Sequence, residues 1–349
     1  MNVAMLHMGD SPHPAHQGFA EAVNADWVQC SDPDSSPHSV SSFTQEIRSV
    51  KKTKKYDVLI AEGARPLYTG LIGKSTYDCN LIYLCADHRF YQLIQSDIHV
   101  HSVYSQLKFL LGKYGMSGVK AILSRGIDGV IAVSEFVASY MRSIVGKDIP
   151  IKIAHPYIQP ELYQELGSLG YNVDSKVVTT ISRDSRYKGV DLLVEAWTDV
   201  YKEYSEYQLQ IVGEGHPSHY ENTPGVTVRG FVDDLVEVYA NSGLYVQPSR
   251  YDAFPVTVLE ALRVGVPPII TETTGTKSEI HDICEKLIIP TDSEHLAKRI
   301  KWFLSLSSAQ KQSISKKCIS SGERFDPGSR KSIFKSVFND IVSDHENTH

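Results

Sequence analysis

The sequence predicts an α/β protein built from two parallel, doubly wound halves, and three observations carry that prediction. Short apolar runs alternate with amphipathic helical patterns through about the first 155 residues, as in a parallel sheet whose strands are joined by helical crossovers. An aperiodic stretch, 156–174, interrupts the alternation, which then restarts and runs nearly to the end. Within the second half, residues 245–268 form a strand, a loop, a helix and a second strand in close succession. A chain of 349 residues accommodates two domains of ordinary size, each with a core of its own.

In the first half the candidate strands are 3–8, 27–30, 57–61, 80–85, 129–133 and 151–154, short apolar runs of the kind buried on both faces. Helical patterns between them cover 19–24, 40–52, 66–74, 103–124 and 135–145. Ser134 stands directly before the last of these, where an N-cap belongs. The loop after the first strand, Gly9-Asp-Ser-Pro-His13-Pro-Ala-His16-Gln-Gly18, is not a dinucleotide-binding glycine fingerprint. Its two histidines have no carboxylate or cysteine at ligand spacing, so both read as solvated loop residues rather than metal ligands. The aperiodic 156–174 reads as the linker between domains.

The second half opens with a strand over 176–181 and a helix that runs through Trp197. Strands over 209–213 and 226–231 follow, the first ending in the turn Gly213-Glu-Gly215. The 245–268 unit breaks at Pro248 and restarts as a helix near Pro255, placing Val256, Leu259 and Leu262 on one face. Pro255 suits a first helical turn, and Gly265 stands where the helix stops. Strands over 266–271 and 286–290 come next, then helices over 293–305 and 308–321. A last amphipathic helix, 326–344, starts at Asp326-Pro327, carries Ile333, Phe334, Val337, Phe338 and Ile341, and frays beyond Asp344.

Composition narrows the function. A hydrophobic content of 42% and a charged fraction of 22% describe a globular chain, and a net charge of -6 argues against general nucleic-acid binding. The five cysteines are scattered, odd in number and never spaced C-x-x-C, which points to reduced thiols in the cytoplasm and no structural zinc. The first residues lead straight into an apolar strand without a basic leader, and no segment approaches the ~20 apolar residues of a membrane span. Two basic features stand out, Lys51-Lys-Thr-Lys-Lys55 and the segment 103–125 with Lys108, Lys113, Lys120 and Arg125. The latter is either a core-packed helix with solvated lysines or a peripheral membrane contact. Glycines 112, 115 and 118 weaken the helix and favour the first alternative.

Chemistry is expected where loops leave the carboxyl ends of parallel strands, since ligands of open α/β sheets bind there and helix N-termini present free N–H groups to anions. The loop carrying Asp252 is one such place, and Glu260 follows eight positions later on the helix. Taken alone, these residues describe an ordinary βαβ unit with a charged loop. The segment Asp252-Ala-Phe254-Pro255-Val256-Thr257-Val-Leu-Glu260-Ala261, with its exit Gly265-Val-Pro267, resembles the signature of the retaining GT-B glycosyltransferases of the group 1, or family 4, type. Asp252 takes the first acidic place, where Glu is usual, and Ala253 and Pro255 replace glycines. Ser182-Arg183 followed by Lys188-Gly189 resembles the motif whose Arg and Lys bind the donor diphosphate, and Gly213-Glu-Gly215 and Gly230-Phe231-Val232 resemble two further elements in the same order.

The resemblance implies a GT-B fold, two Rossmann-like domains facing an interdomain cleft, with the acceptor-side domain over 1–155 and the nucleotide-sugar-binding domain over 175–325. It also implies that the final helix packs back on the first domain. Its implied activity is transfer of a sugar from a nucleotide-sugar donor to an acceptor hydroxyl, on a glycan or a lipid-linked acceptor, with retention of anomeric configuration. Arg183 and Lys188 would neutralise the leaving diphosphate, so no metal and no cofactor is implied. Asp252, with the amides of Phe254, Val256 and Thr257, would hold the sugar hydroxyls, and Glu260 the ribose. His88, after the 80–85 strand, would contact the sugar from the first domain, while Gly18 would lie near the donor phosphates and Phe231 near the base. A non-catalytic nucleotide-sugar-binding partner subunit and a GT-B sugar-nucleotide epimerase are the competing readings. The expected location is the cytoplasm or the inner face of its membrane.

Overall fold

The computed structural model describes residues 1–8, 14–30, 56–87, 90–91 and 117–346, and it divides the chain into two compact units. The first comprises Met1–Pro156 and Arg330–His349, the second Tyr157–Ser329. Each is built on a six-stranded sheet in which every pairing is parallel. These are the two doubly wound halves read from the alternation of apolar runs.

The first unit has strands β1 (Val3–His7), β2 (Ala25–Gln29), β3 (Val58–Glu62), β4 (Asn80–Cys85), β5 (Gly129–Ala132) and β6 (Ile151–Ile153), in the order β2-β1-β3-β4-β5-β6. Strands β1, β3, β4 and β5 are nearly continuous apolar runs, as a sheet covered on both faces requires. Helices α1 (Pro14–Ala22), α2 (Ala64–Tyr77), α3 (117–126) and α4 (Glu135–Arg142) accompany them. Ser134 caps α4, its hydroxyl accepting from the Val137 amide at 3.2 Å.

Helix α1 corrects part of the sequence reading. It begins at Pro14 rather than near residue 19, because proline's fixed φ and missing N–H suit a first helical turn. Gly18 therefore lies buried inside a helix instead of at its start. His16 is turned inward rather than solvated: it is 6% exposed, and its Nδ1 lies 2.6 Å from Oε1 of Glu62 at the carboxyl end of β3. Gly9, His13, His88, the basic run 51–55 and residues 103–116 lie outside the described residues. The described end of the 103–125 segment is the helix α3, on which Lys120, Ile122 and Arg125 are exposed.

The second unit has strands β7 (Val177–Ile181), β8 (Gln208–Val212), β9 (Val226–Val228), β10 (Leu244–Gln247), β11 (Pro268–Thr271) and β12 (Ile288–Ile289), in the order β12-β11-β10-β7-β8-β9. Its helices are α5 (Pro160–Gly167), α6 (Val190–Glu203), α7 (Leu235–Ala240), α8 (Val256–Val264), α9 (Lys277–Ile283), α10 (Ser293–Leu304) and α11 (Ser308–Gly322). The span 156–174, read as a linker, holds α5. That helix buries only Tyr163 and Leu166, too short an apolar period to stand out in sequence.

Helix α8 is the buried centre of this unit. Val258, Leu259, Ala261 and Leu262 are all fully buried, and each leucine contributes on the order of 2 kcal/mol by leaving water. Gly265 ends the helix at φ +91°, and a Cβ there would lie 2.6 Å from Ser315 Oγ of α11. The last helix, α12 (Pro327–Glu346), places residues from Arg330 onward in the first unit. There Phe334 stacks on Phe19 of α1 at 4.2 Å, and Ile341 packs where a Cβ on Gly129 would come within 2.4 Å of it.

Candidate functional site

The strand order of the second sheet reverses between β7 and β10, so the loops leaving these two neighbours diverge and open a crevice at their carboxyl ends. After β7 the chain passes through Ser182 and Arg183 into a tight turn, Arg186–Lys188, and enters α6 through Gly189 at φ +67°. A Cβ on Gly189 would sit 2.0 Å from the Pro248 carbonyl oxygen, so only glycine lets the two loops run in contact. Arg250 ties them together. Its guanidinium donates to both carboxylate oxygens of Asp191, at 2.6 and 2.7 Å, and to the Arg186 carbonyl at 2.8 Å. The Arg250 hydrogen bonds hold the Asp191 carboxyl below its ordinary range.

This stapling brings Lys188 to Asp252, with Nζ 2.6 Å from Oδ2. Gln247 Nε2 approaches the same oxygen at 3.3 Å, and among the described residues Oδ1 has no protein donor. The backbone of Asp252 is fixed by bonds from its N–H to the Thr273 carbonyl at 3.2 Å and from the Gly275 N–H to its own carbonyl at 2.8 Å. Asp252 is 8% exposed, whereas the Lys188 side chain keeps about a third of its surface, 35%. A half-open cation over a buried carboxylate can exchange its partner for an anion, and the open Oδ1 can accept from a hydroxyl.

Behind this pair runs a buried chain of polar contacts. Gln247 Nε2 donates to Ser249 Oγ at 2.8 Å, and Tyr245 Oη lies 2.8 Å from both Gln247 Oε1 and Thr257 Oγ1. Tyr239 Oη donates toward Glu260 Oε2 at 2.7 Å and toward the Thr257 carbonyl at 3.0 Å. Glu260 is 7% exposed, and burial pushes its carboxyl up to about 7, against the partial opposition of the Tyr239 hydrogen bond. Pro255 is the N-cap of α8 rather than part of its first turn and caps it with no side chain, so the amides of Val256 and Thr257 open the helix toward this crevice side of the sheet.

Other candidates stand apart from the pair. Arg183 is exposed and makes no side-chain ion pair or hydrogen bond among the described residues. Gly213, at φ +133°, lies under the Ser182–Arg183 turn, where a Cβ would meet the Ser182 carbonyl oxygen at 1.8 Å. Phe231 follows Gly230, at φ +65°, and is 67% exposed. Phe254 is buried, its ring 5.9 Å from that of Phe325, so its side chain faces the core. Gly18 belongs to the first unit.

Several contributors carry no signal that the sequence reading used. His216, with a fully buried side chain, lies 2.7 Å from the Ser182 carbonyl through Nε2 and so holds the turn that presents Arg183. Arg250, Asp191, Gln247, Tyr239 and Tyr245 form the frame described above. The available hint was the pair Tyr245 and Gln247, polar tips at alternate positions of an otherwise apolar strand. Among the described residues no group of three or more His, Cys, Asp or Glu side chains converges as metal ligands would.

Comparison with known proteins shows what the chain is similar to. Residues 164–319 match the family model of the glycosyl transferases group 1. An uncharacterized glycosyltransferase of Haemophilus influenzae is 24% identical over 238 residues, a match that covers 65% of this chain and 60% of that relative. Among solved structures, the sucrose-phosphate synthase of Thermosynechococcus elongatus superimposes with a TM-score of 0.74 at 18% identity, covering 98% of this chain and 99% of the other. Anabaena HepE in complex with UDP-glucose gives 0.73 at 16% identity, covering 97% and 100%. At such identities the likeness shows the fold, which is GT-B.

Proposed function

Residues 164–319 belong to the group 1 glycosyl transferases, and from that premise we propose that this chain transfers a sugar from a nucleotide-sugar donor to an acceptor hydroxyl with retention at the anomeric carbon. The observation that carries the reading is the pairing of Lys188 with Asp252 at 2.6 Å, at the switch point of the second sheet and beside the helix that bears Glu260. Lys188 and the unpartnered Arg183 supply positive charge for the diphosphate as it leaves, Lys188 exchanging Asp252 for a phosphate oxygen. Asp252, through its open Oδ1 and with the first amides of α8, takes sugar hydroxyls. Glu260 accepts from the ribose. Gly213 lets the backbone pass close to the nucleotide, and Phe231 offers an exposed ring to the base. The family resemblance assigns the sugar contact to His88, which lies outside the described residues, and the leaving phosphate receives the acceptor proton, so the reaction needs neither paired carboxylates nor a metal. HepE, a structural neighbour, was solved with UDP-glucose, which supports a nucleotide sugar as donor. A glycan or lipid-linked acceptor is the matching class.

A thermal-shift screen with UDP, GDP, ADP and dTDP in the presence of EDTA tests this directly, since a ligand of the folded state raises the melting temperature by mass action. One nucleotide is expected to do so, and the rise is expected to vanish in Arg183→Ala. Lys188→Ala is expected to lower kcat/KM roughly 100- to 1000-fold, the usual cost of one group that stabilises developing charge. The second reading, a binding subunit without turnover, is motivated by Asp252 in the place of the usual Glu and Pro255 in the place of a glycine. It is upheld if nucleotide binds but neither sugar transfer nor a changed nucleotide sugar is detected; the latter product without an acceptor would indicate an epimerase.

A further inference from the structure

Resting on the reading that Glu260 accepts from the ribose, we propose that Tyr239 and Glu260 form a proton-storing pair, so that binding of the nucleotide sugar expels one proton into solvent, with Tyr239 as a positioning residue for donor recognition. Glu260 is buried, and a carboxylate offers about four lone-pair positions, yet among the described residues only Tyr239 donates to it, at 2.7 Å. Among the described residues no cation compensates from the elements packed on α8. Helix α7 brings Tyr239, its Glu237 being exposed, and β10 brings Tyr245, whose hydroxyl serves Gln247 and Thr257. Strand β11 has no titratable side chain. On α5, Tyr163 faces Arg263 of α8 itself, 4.3 Å from the ring, while Glu161 and Glu165 are exposed. On α11, Lys311 lies over Phe303, Lys317 reaches the Ile283 carbonyl, Lys316 is exposed, and burial keeps the Cys318 thiol neutral. A buried carboxyl with one neutral donor and no counter-ion retains its proton far above the usual range. Burial accordingly raises it to about 7.

The oxygens are spaced to hold or release that proton without moving. Tyr239 Oη stands 2.7 Å from Glu260 Oε2 and 3.0 Å from the Thr257 carbonyl, giving two short contacts for a single phenolic proton. When Glu260 is neutral, its carboxyl donates to Tyr239 Oη and the phenol donates to the Thr257 carbonyl. When Glu260 is ionised, the phenol turns its proton to Oε2, and the Thr257 carbonyl keeps its helical hydrogen bonding. Two ribose hydroxyls donating to Glu260 favour the ionised form, so the carboxyl O–H bond breaks, its electrons stay on the carboxylate, and the proton passes to the buffer.

The test is titration calorimetry of the full chain with UDP-glucose, GDP-glucose, ADP-glucose and dTDP-glucose, sugar nucleotides being used because their diphosphate has no terminal ionisation near neutral pH. Each is titrated in buffers of low and high ionisation heat at pH 6, 7 and 9. The expected release is largest at pH 6, smaller at pH 7 and near zero at pH 9, following a buried carboxyl raised above its ordinary range. Glu260→Gln should still fold, bind more weakly and release none. Tyr239→Phe, which keeps the ring, should weaken binding roughly tenfold and shift half-release to higher pH, an effect that a purely structural ring would not produce. Weakened binding in Glu260→Gln without proton release in the wild type at any pH overturns the proton pair and leaves the ribose reading standing. Unchanged affinity in Glu260→Gln overturns the ribose reading, and with it this one, as does failure of all four sugar nucleotides to bind.

Discussion

Glu260 couples the site to the stability of the unit that holds it. Its folded-state value of about 7 lies above the ordinary 4.5, so the folded chain holds this proton more firmly than the unfolded chain does. Below about pH 4.5 the group is protonated in both states and contributes no pH dependence. As pH rises from there through 7, ionisation becomes costly only in the folded state, and the cost reaches up to roughly 3 kcal/mol and then stays level. Glu260→Gln removes it. Urea denaturation of ligand-free protein should therefore show the variant gaining stability relative to wild type between pH 5 and pH 8, with little further change at pH 9. A difference independent of pH would mean that Glu260 is ionised in the folded state throughout.

At the scale of elements, the site depends on two loops that behave as one. Lys188 sits on a turn held to the loop of Asp252 by the Lys188–Asp252 pair, the close passage of Gly189 under Pro248, the bonds from the Arg250 N–H to the Tyr187 carbonyl and from its guanidinium to the Arg186 carbonyl, and the two-oxygen grip of Arg250 on Asp191. The last depends on the planar fork of a guanidinium, which a lysine cannot reproduce. Arg250→Lys keeps the charge and loses the fork. It is expected to weaken nucleotide binding roughly threefold to tenfold in an isothermal titration, while global unfolding shifts by less than about 1 kcal/mol, since this pair is half exposed to water. Equal affinity in Arg250→Lys would show that the turn holds Lys188 in place without the clamp.

At the scale of the whole molecule, the chain leaves its first unit at Pro156 and returns to it at Arg330. The returning helix supplies core residues that the first unit cannot supply itself: Phe334 stacks on Phe19, and Phe338 and Ile341 are both 1% exposed. Truncation after Ser329 strips three large apolar side chains from that core at roughly 2 to 3 kcal/mol apiece, and leaves Phe19 uncovered. Calorimetry should then show the first unit melting much earlier or not folding, while the second unit, whose sheet and crevice lie wholly within Tyr157–Ser329, still binds nucleotide. Loss of nucleotide binding in the folded truncated chain would instead require the first unit for donor recognition.

Much of this protein was legible in its sequence because the relevant physics is local. The strand runs Val58–Glu62 and Asn80–Cys85 are apolar on both faces, Gly265 ends α8 with a left-handed residue that other side chains resist, and the order of motifs from Arg183 to Glu260 announces the family of the second unit. Where a helix begins was less legible, as α1 shows, because proline fits a loop as well as a first turn. The tertiary structure alone decided which charges meet. Lys188 and Asp252 are 64 positions apart and Arg250 and Asp191 are 59 apart, and nothing in the spacing of such residues pairs them. Their pairing follows from the reversal of strand order between β7 and β10, which sets two loops side by side. The same holds for the proton on Glu260: the sequence places a glutamate on a helix, and only packing against α7 buries it with a tyrosine and no cation.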